Sequence, residues 1–436
     1  MNTLIWAVVY AGVGILAVRH HSRFDGRFSP VSVAVFSILF YVVTVPVELV
    51  LRGDSVIGFT GFQLPEATGT TVVVLAVVSL ACLALAFQLV AGPGAQLPTV
   101  GSLEGARAAS RAALLVSVLA VLLIAALYRS NVVAATDYLA NVAQTTSGGS
   151  VGYFVLNRWA YLSYGVFAFL ALATSKRKWR QLPLLVPLLA WSIYSNDKDP
   201  LLVAGLALTG WGFRELVAQP FARWRGLVLG ALVLLPVVGI SAAAYGTSRA
   251  GEEVTRATLD EYLYDGLFTN IDPAGPSGVL AVELQRPEGV GSFDPTIAGA
   301  FLWLPSFLRP VDAVEDLGVG FAKSYWPNWE PGFGYGYSPV AEGYQADGAL
   351  GVVIVFTGLG IVLGFARRKL VPSQSRRPPS TVAIGTASYF VVIGYLSFVV
   401  MRGSVATMVS TATLCVVLVA LIWTASRVSL RLSRSA

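Results

Sequence analysis

Apolar runs of about 20 residues recur along this chain, the length a helix needs to cross the hydrocarbon core of a bilayer. One of them, VVVLAVVSLACLALAFQLVA, fills Val72–Ala91 with no charged residue. Lipid offers backbone amides no hydrogen-bond partner, so a spanning segment must be a helix or part of a closed barrel. The runs lack the strict apolar/polar alternation of barrel strands, which selects an all-α polytopic membrane protein. Composition agrees. Of the 436 residues, 55% are hydrophobic and 12% charged, with a mean hydropathy of +0.69, outside the range of soluble globular chains.

Eleven spans are predicted, near 2–18, 31–51, 69–91, 112–128, 151–173, 182–195, 200–213, 226–245, 346–366, 381–400 and 405–424. The first has no Lys or Arg before it and no small-residue cleavage site, and so reads as a retained span. Three parts follow: residues 1–245 with spans one to eight, a large loop at 246–345, and 346–436 with spans nine to eleven and a basic tail. Charge sets the expected orientation. With the N-terminus outside, 20 of the 30 Lys and Arg residues fall in cytoplasmic segments, nine fall outside and Arg158 lies within a span, while 20 of the 24 acids face outward. The positive-inside rule therefore puts the C-terminus in the cytoplasm and the long loop outside. The formal net charge of +6 is thus topological and does not point to nucleic acid. Cys82 and Cys415 both lie in apolar runs and offer neither a disulfide framework nor a metal cluster; His20 and His21 share a short basic cytoplasmic loop.

Three cations stand where bare insertion is costly. Arg158 lies inside VGYFVLNRWAYLSYGVFAF, where a central charge costs about 2.5–3.5 kcal/mol on insertion scales and normally faces a partner or a wet cavity. Two short apolar runs flank the turn SNDKDP at Ser195–Pro200, which carries Lys198 between Asp197 and Asp199 and reads either as a solvated, self-neutralised turn or as one set below the outer surface. VVMRGSVAT puts Arg402 in a tight turn between the last two spans. Together Arg158, Lys198 and Arg402 are candidates for holding an anion by charge and, for arginine, by paired hydrogen bonds. Within the loop, FLWLPSFL (Phe301–Leu308) is too short to span and is broken by Pro305. It reads as an interfacial element or a surface helix covering the bundle.

Further on, GYGYSPVAEGYQADGALG (Gly334–Gly351) sets glycines, tyrosines, Ser338 and Glu342 directly against a span. Together with LPSFLRP (Leu304–Pro310), it resembles the Wzy-type O-antigen polymerases, whose large outer loop carries a Pro-containing segment and a pattern like G-x-G-x-S-x-x-x-E-x-Y-x-x-x-G-x-x-G before a late span. Gly334, Gly336, Ser338, Glu342, Tyr344, Gly348 and Gly351 fit that pattern. Lys198 stands where the family often has arginine. The related O-antigen ligases are expected to have a histidine in the large loop, and this one has none.

The resemblance implies a GT-C-like glycosyltransferase of the bacterial plasma membrane that works at its outer face and needs no cofactor. Its substrates would be undecaprenyl-pyrophosphate-linked oligosaccharide repeat units, and a flippase and a chain-length regulator would be partner proteins. The departing pyrophosphate then calls for fixed cations: Arg158, Lys198 and Arg402, with Arg249 a fourth. Glu342 is the candidate base for the acceptor hydroxyl. Gly334 and Gly336 would allow close backbone approach, Tyr337 and Tyr344 would stack on sugar faces, and Ser338 completes the substrate-binding set. The rival from another class is a transporter or flippase of a lipid-linked sugar, for which repeated halves and short loops on both sides would be expected.

Overall fold

The computed structural model describes residues 2–25, 29–58, 60–92, 105–128, 151–175, 177–195, 197–218, 266–269, 274–285, 293–299, 301, 317–325, 336–371 and 378–435. Those residues are overwhelmingly helical, with a single isolated β-bridge between Val56 and Gln63. In chain order the helices are α1 (Asn2–Asp25), α2 (Pro30–Arg52), α3 (Glu66–Ala91), α4 (Ala106–Leu127), α5 (Val151–Thr174), α6 (Val186–Ser195) and α7 (Asp199–Ala218). There follow α8 (Ala274–Gln285), α9 (Asp294–Gly299), α10 (Leu317–Tyr325), α11 (Pro339–Leu370), α12 (Pro379–Arg402) and α13 (Val405–Ser435).

Eight of these, α1 to α5 and α11 to α13, are long and apolar enough to cross a membrane, as expected of a polytopic membrane protein. The predicted span at 200–213 falls within the 20-residue α7, which is not among the eight, whereas that at 182–195 corresponds to shorter elements. Residues 182–185 belong to a tight 3-10 stretch, Lys178–Leu185, that precedes the ten-residue α6. Pro183 cannot supply an amide to an α-helical ladder there. The predicted span at 226–245 lies outside the described residues.

Local signals place the helix ends. The Ser29 hydroxyl accepts from the Ser32 amide at 3.3 Å and Pro30 opens α2, a side-chain cap followed by a residue whose missing amide costs nothing at that position. Gly53, at φ 70°, closes the same helix in the left-handed region.

Among the described residues, buried side chains form two large clusters and a small one around Ala120, Ile124, Tyr153 and Ala160, where α4 meets α5. The first large cluster draws on α1, α2, α3, α8 and α11, on both sides of Gly348; the other draws on α4, α5, α7, α12 and α13. The central helix is α12, with 83% of its apolar stretch buried, against 22% for α1 and for α13. Close approach of α11 to α3 depends on a G-x-x-x-G pair, since a Cβ at Gly364 would come within 3.0 Å of the Phe87 carbonyl and one at Gly360 would meet the Leu83 carbonyl more closely still.

α11 is not one straight rod. Asp347 and Gly348 leave helical geometry, with Gly348 at φ 56° and ψ −142°, a conformation natural only to glycine. Beyond it the chain folds back: a Cβ on Gly343 would lie 2.9 Å from the Gly351 carbonyl group. In a continuous helix those residues would be about 12 Å apart along the axis. The helix therefore begins seven residues before the predicted span, and its first two turns pack beside the longer segment that follows.

The long connection is tied into the bundle. Glu48, within α2, accepts backbone N–H groups from Leu267 at 2.6 Å, Phe268 at 2.8 Å and Thr269 at 2.9 Å. Three amide donors on one carboxylate satisfy a charge that the apolar helix would otherwise leave costly. α8 is buried along most of its length. Its Ser277 hydroxyl donates to the Tyr41 carbonyl at 3.1 Å, an oxygen in the widened π-type turn Leu39–Val43 of α2, where helical carbonyls lose their regular partners.

Candidate functional site

The turn between α6 and α7 is held by its own polar groups. The Ser192 hydroxyl donates to the Asp197 carbonyl at 2.5 Å and the Asp199 amide donates to Asp197 Oδ1 at 3.0 Å. This arrangement delivers Asp199 as the first residue of α7, with only 5% of it exposed. An acid in that position is favoured by the helix dipole.

From α12, whose last turn tightens to a 3-10 turn at Val400–Arg402, Arg402 Nη2 donates to Asp199 Oδ1 at 2.5 Å. The second oxygen, Oδ2, accepts from the Tyr395 hydroxyl at 2.5 Å and from the Tyr161 hydroxyl at 3.4 Å, and the two hydroxyls lie 3.0 Å apart. Both tyrosines are buried.

Arg158 stands three residues before Tyr161 on α5, one helical turn away and on the same face. Its Nη1 donates to Thr411 Oγ1 of α13 at 3.1 Å, and it lies within electrostatic reach of Asp199. The neighbouring Asn157 accepts from Trp191 Nε1 of α6 at 2.9 Å. Four helices thus converge on one carboxylate and two guanidinium groups. Lys198 is half-buried in the α6–α7 turn, one residue from Asp199.

The glycine- and tyrosine-rich segment abuts this cluster. A Cβ on Gly336 would come within 3.0 Å of the Arg402 carbonyl and 3.1 Å of Pro276 Cγ, so glycine is needed there for contact between two backbones. Ser338 is fully buried and caps α11, its hydroxyl accepting from the Ala341 amide at 3.2 Å. Glu342 is 2% exposed. Its Oε2 accepts from the Val405 amide, the first of α13, at 2.5 Å, and its Oε1 accepts from the Thr296 hydroxyl of α9. One carboxylate therefore joins α9, α11 and α13, and its partner Val405 stands three residues after Arg402 in the chain.

The structure thus brings Arg158, Arg402, Gly336, Ser338 and Glu342 to one end of the bundle, with Lys198 in the adjoining turn. Arg249 and Gly334 lie outside the described residues. Tyr337 is turned into the core, where it is 2% exposed and donates to Gln345 Oε1 at 2.6 Å, so its ring offers no open face for a sugar. Tyr344 is half-buried against the first cluster.

Asp199, Tyr161, Tyr395, Thr411 and Thr296 were not singled out by sequence reasoning. Tyr161 carried a signal, since it stands one turn from the unexplained Arg158. Asp199 resembled one half of a self-neutralised turn, and Tyr395 and Thr411 are ordinary residues of apolar helices until the fold brings them together.

Among the described residues, no three His, Cys, Asp or Glu side chains stand close enough to share a metal ion. Comparison with protein-family models, with curated proteins and with solved structures finds no match to this chain. Chemically, the cluster can hold an anion of the phosphate type. Arg402 is 29% exposed at its side chain against 7% for Asp199, so the arginine is the more accessible member of the pair.

Proposed function

We propose that the protein is a membrane glycosyltransferase that polymerises oligosaccharide repeat units carried on a prenyl diphosphate, of the O-antigen polymerase type, at the outer face of a bacterial plasma membrane. The observation that carries this reading is the meeting of the cationic cluster with the Gly336–Glu342 segment at one turn, Arg402–Val405. In the reaction, a hydroxyl of the incoming unit attacks the anomeric carbon of the growing chain. The anomeric carbon–oxygen bond to the diphosphate breaks, and the hydroxyl proton is released.

Arg402 and Arg158 stabilise the charge gained by the departing diphosphate, with Lys198 supplementing them from the adjoining turn. Glu342 already accepts a hydroxyl, that of Thr296. An acceptor sugar hydroxyl exchanged into that place is oriented by the same carboxylate, which takes up its proton. Tyr344, half-buried at the start of α11, is the ring assigned to contact a sugar.

Removing the gene from its host separates this reading from a flippase. Loss of a polymerase leaves the surface glycan one repeat unit long, because units still cross the membrane but are not joined. Surface glycan missing altogether, together with lipid-linked units retained on the cytoplasmic side, is the result that contradicts the proposal and assigns transport instead.

A further inference from the structure

We infer that Asp199 is a positioning residue that aims Arg402 at the diphosphate; the inference rests on the reading above and adds a residue to it. Three observations carry it. The carboxylate is fixed from several sides, by Arg402 on one oxygen, by Tyr395 and Tyr161 on the other and by its place as the first residue of α7, so it has no path to swing aside. It is the less exposed member of the pair, 7% against 29% for Arg402, so the arginine is the partner open to a ligand. Finally, it is the shared counter-charge of two arginines from different helices, α5 and α12. It offsets the cost of holding both within an apolar bundle while leaving a net positive charge for a di- or trianionic ligand.

A different role, that of a place-holder anion displaced by the incoming phosphate, would require a mobile carboxylate on the accessible side. The tyrosine pair argues against it. Tyr161 and Tyr395 are buried and bonded to each other as well as to Asp199, so they act as a brace that keeps the acid in register with the last turn of α12. A positioned charge matters to rate more than to affinity, since displacing a reacting group by 1 Å can cost about a hundredfold in turnover.

The test uses full-length protein in detergent or nanodiscs, with farnesyl diphosphate as binding probe and a lipid-diphosphate-linked repeat unit as substrate. For Asp199→Asn, kcat is expected to fall about a hundredfold while KM and probe affinity stay within about threefold. The double variant Asp199→Asn/Arg402→Ala is expected to be no slower than Arg402→Ala alone, because the two residues act as one unit. If Asp199→Asn does not accumulate, Tyr395→Phe, which leaves the carboxylate and Arg402 in place, is expected to lose about tenfold in kcat at unchanged KM.

An unchanged kcat in the folded aspartate or tyrosine variant overturns the inference. So does tighter probe binding with a raised rate, which marks a place-holder, or a double variant whose losses multiply. Wild-type protein that neither binds the probe nor extends the glycan overturns the diphosphate reading itself, and the inference with it. An active wild type with an indifferent Asp199→Asn overturns the inference alone.

Discussion

Arg402→Ala is expected to abolish polymer formation, and to do so in two separable ways. The first is chemical. Removing one preorganised donor from a developing anion commonly costs 10²–10³ in rate, about 3–4 kcal/mol, and Arg402 is the more exposed member of the ion pair with Asp199. The second is structural, because truncation strands Asp199 as a buried charge, and breaking a buried pair by deleting one partner costs about 3–5 kcal/mol of stability. Arg402→Lys separates the two, since it keeps a cation beside Asp199 but loses the planar fork. It is expected to retain most of the thermal stability and make no polymer. Asp199→Asn/Arg402→Ala should recover part of the stability relative to Arg402→Ala, because the stranded carboxylate is gone although Arg158 loses a counter-charge, yet make no chain. Gel analysis of glycan length alongside thermal unfolding of the purified variants reads both. Normal polymer from a folded Arg402→Lys or Arg402→Ala variant would remove Arg402 from the site.

Glu342→Gln is expected to fold less stably and to make no polymer. The amide oxygen can accept from the Val405 amide while the amide nitrogen donates to the Thr296 hydroxyl, which accepts as well as donates, so both partners stay bonded and only the charge-assisted strength of the two bonds is lost. Loss of the negative charge beside the first amide of α13 removes a further contribution of about 0.3–1 kcal/mol. Farnesyl diphosphate binding should persist, because the cations are untouched. The absence of chain extension then reports the loss of the group that orients and deprotonates the acceptor. Full-length polymer from well-folded Glu342→Gln would end that assignment and leave Glu342 as the tie between α9, α11 and α13.

Much of the helical layout was legible because a membrane imposes a length and a composition on each span, and Arg158 and Arg402 stood out because a charge in an apolar run needs a reason. Glycine spacing in the Gly334–Gly351 segment was visible as a pattern, but its physical cause was not. Gly348 and Gly351 serve a chain reversal inside what reads as one continuous apolar helix, and periodicity carries no sign of a fold-back. Glu48, near the end of the span predicted at 31–51, has no partner that sequence could show, because its partners are backbone amides more than 200 residues away. Asp199 was hidden by its neighbours. In NDKDP two acids flank a lysine and sequence alone balances them locally, whereas the fold spends Asp197 on the turn and Asp199 on Arg402. Tyr337 drew the expectation of an open aromatic face because it stands among glycines, yet those glycines bring backbones together and leave its ring inside.

The central claim, glycosyl transfer between lipid-linked units at the Arg402–Glu342 junction, is tested most directly by purified wild-type protein reconstituted in liposomes with a single substrate, a prenyl-diphosphate-linked repeat unit, and no nucleotide sugar or ATP. Products are separated by glycan length. The account predicts a ladder of two, three and more units on one lipid, with free prenyl diphosphate released once per linkage formed, and no ladder from Arg402→Lys under the same conditions. Single units that remain unextended beside verified, folded protein, or that only move from one leaflet to the other, would contradict it.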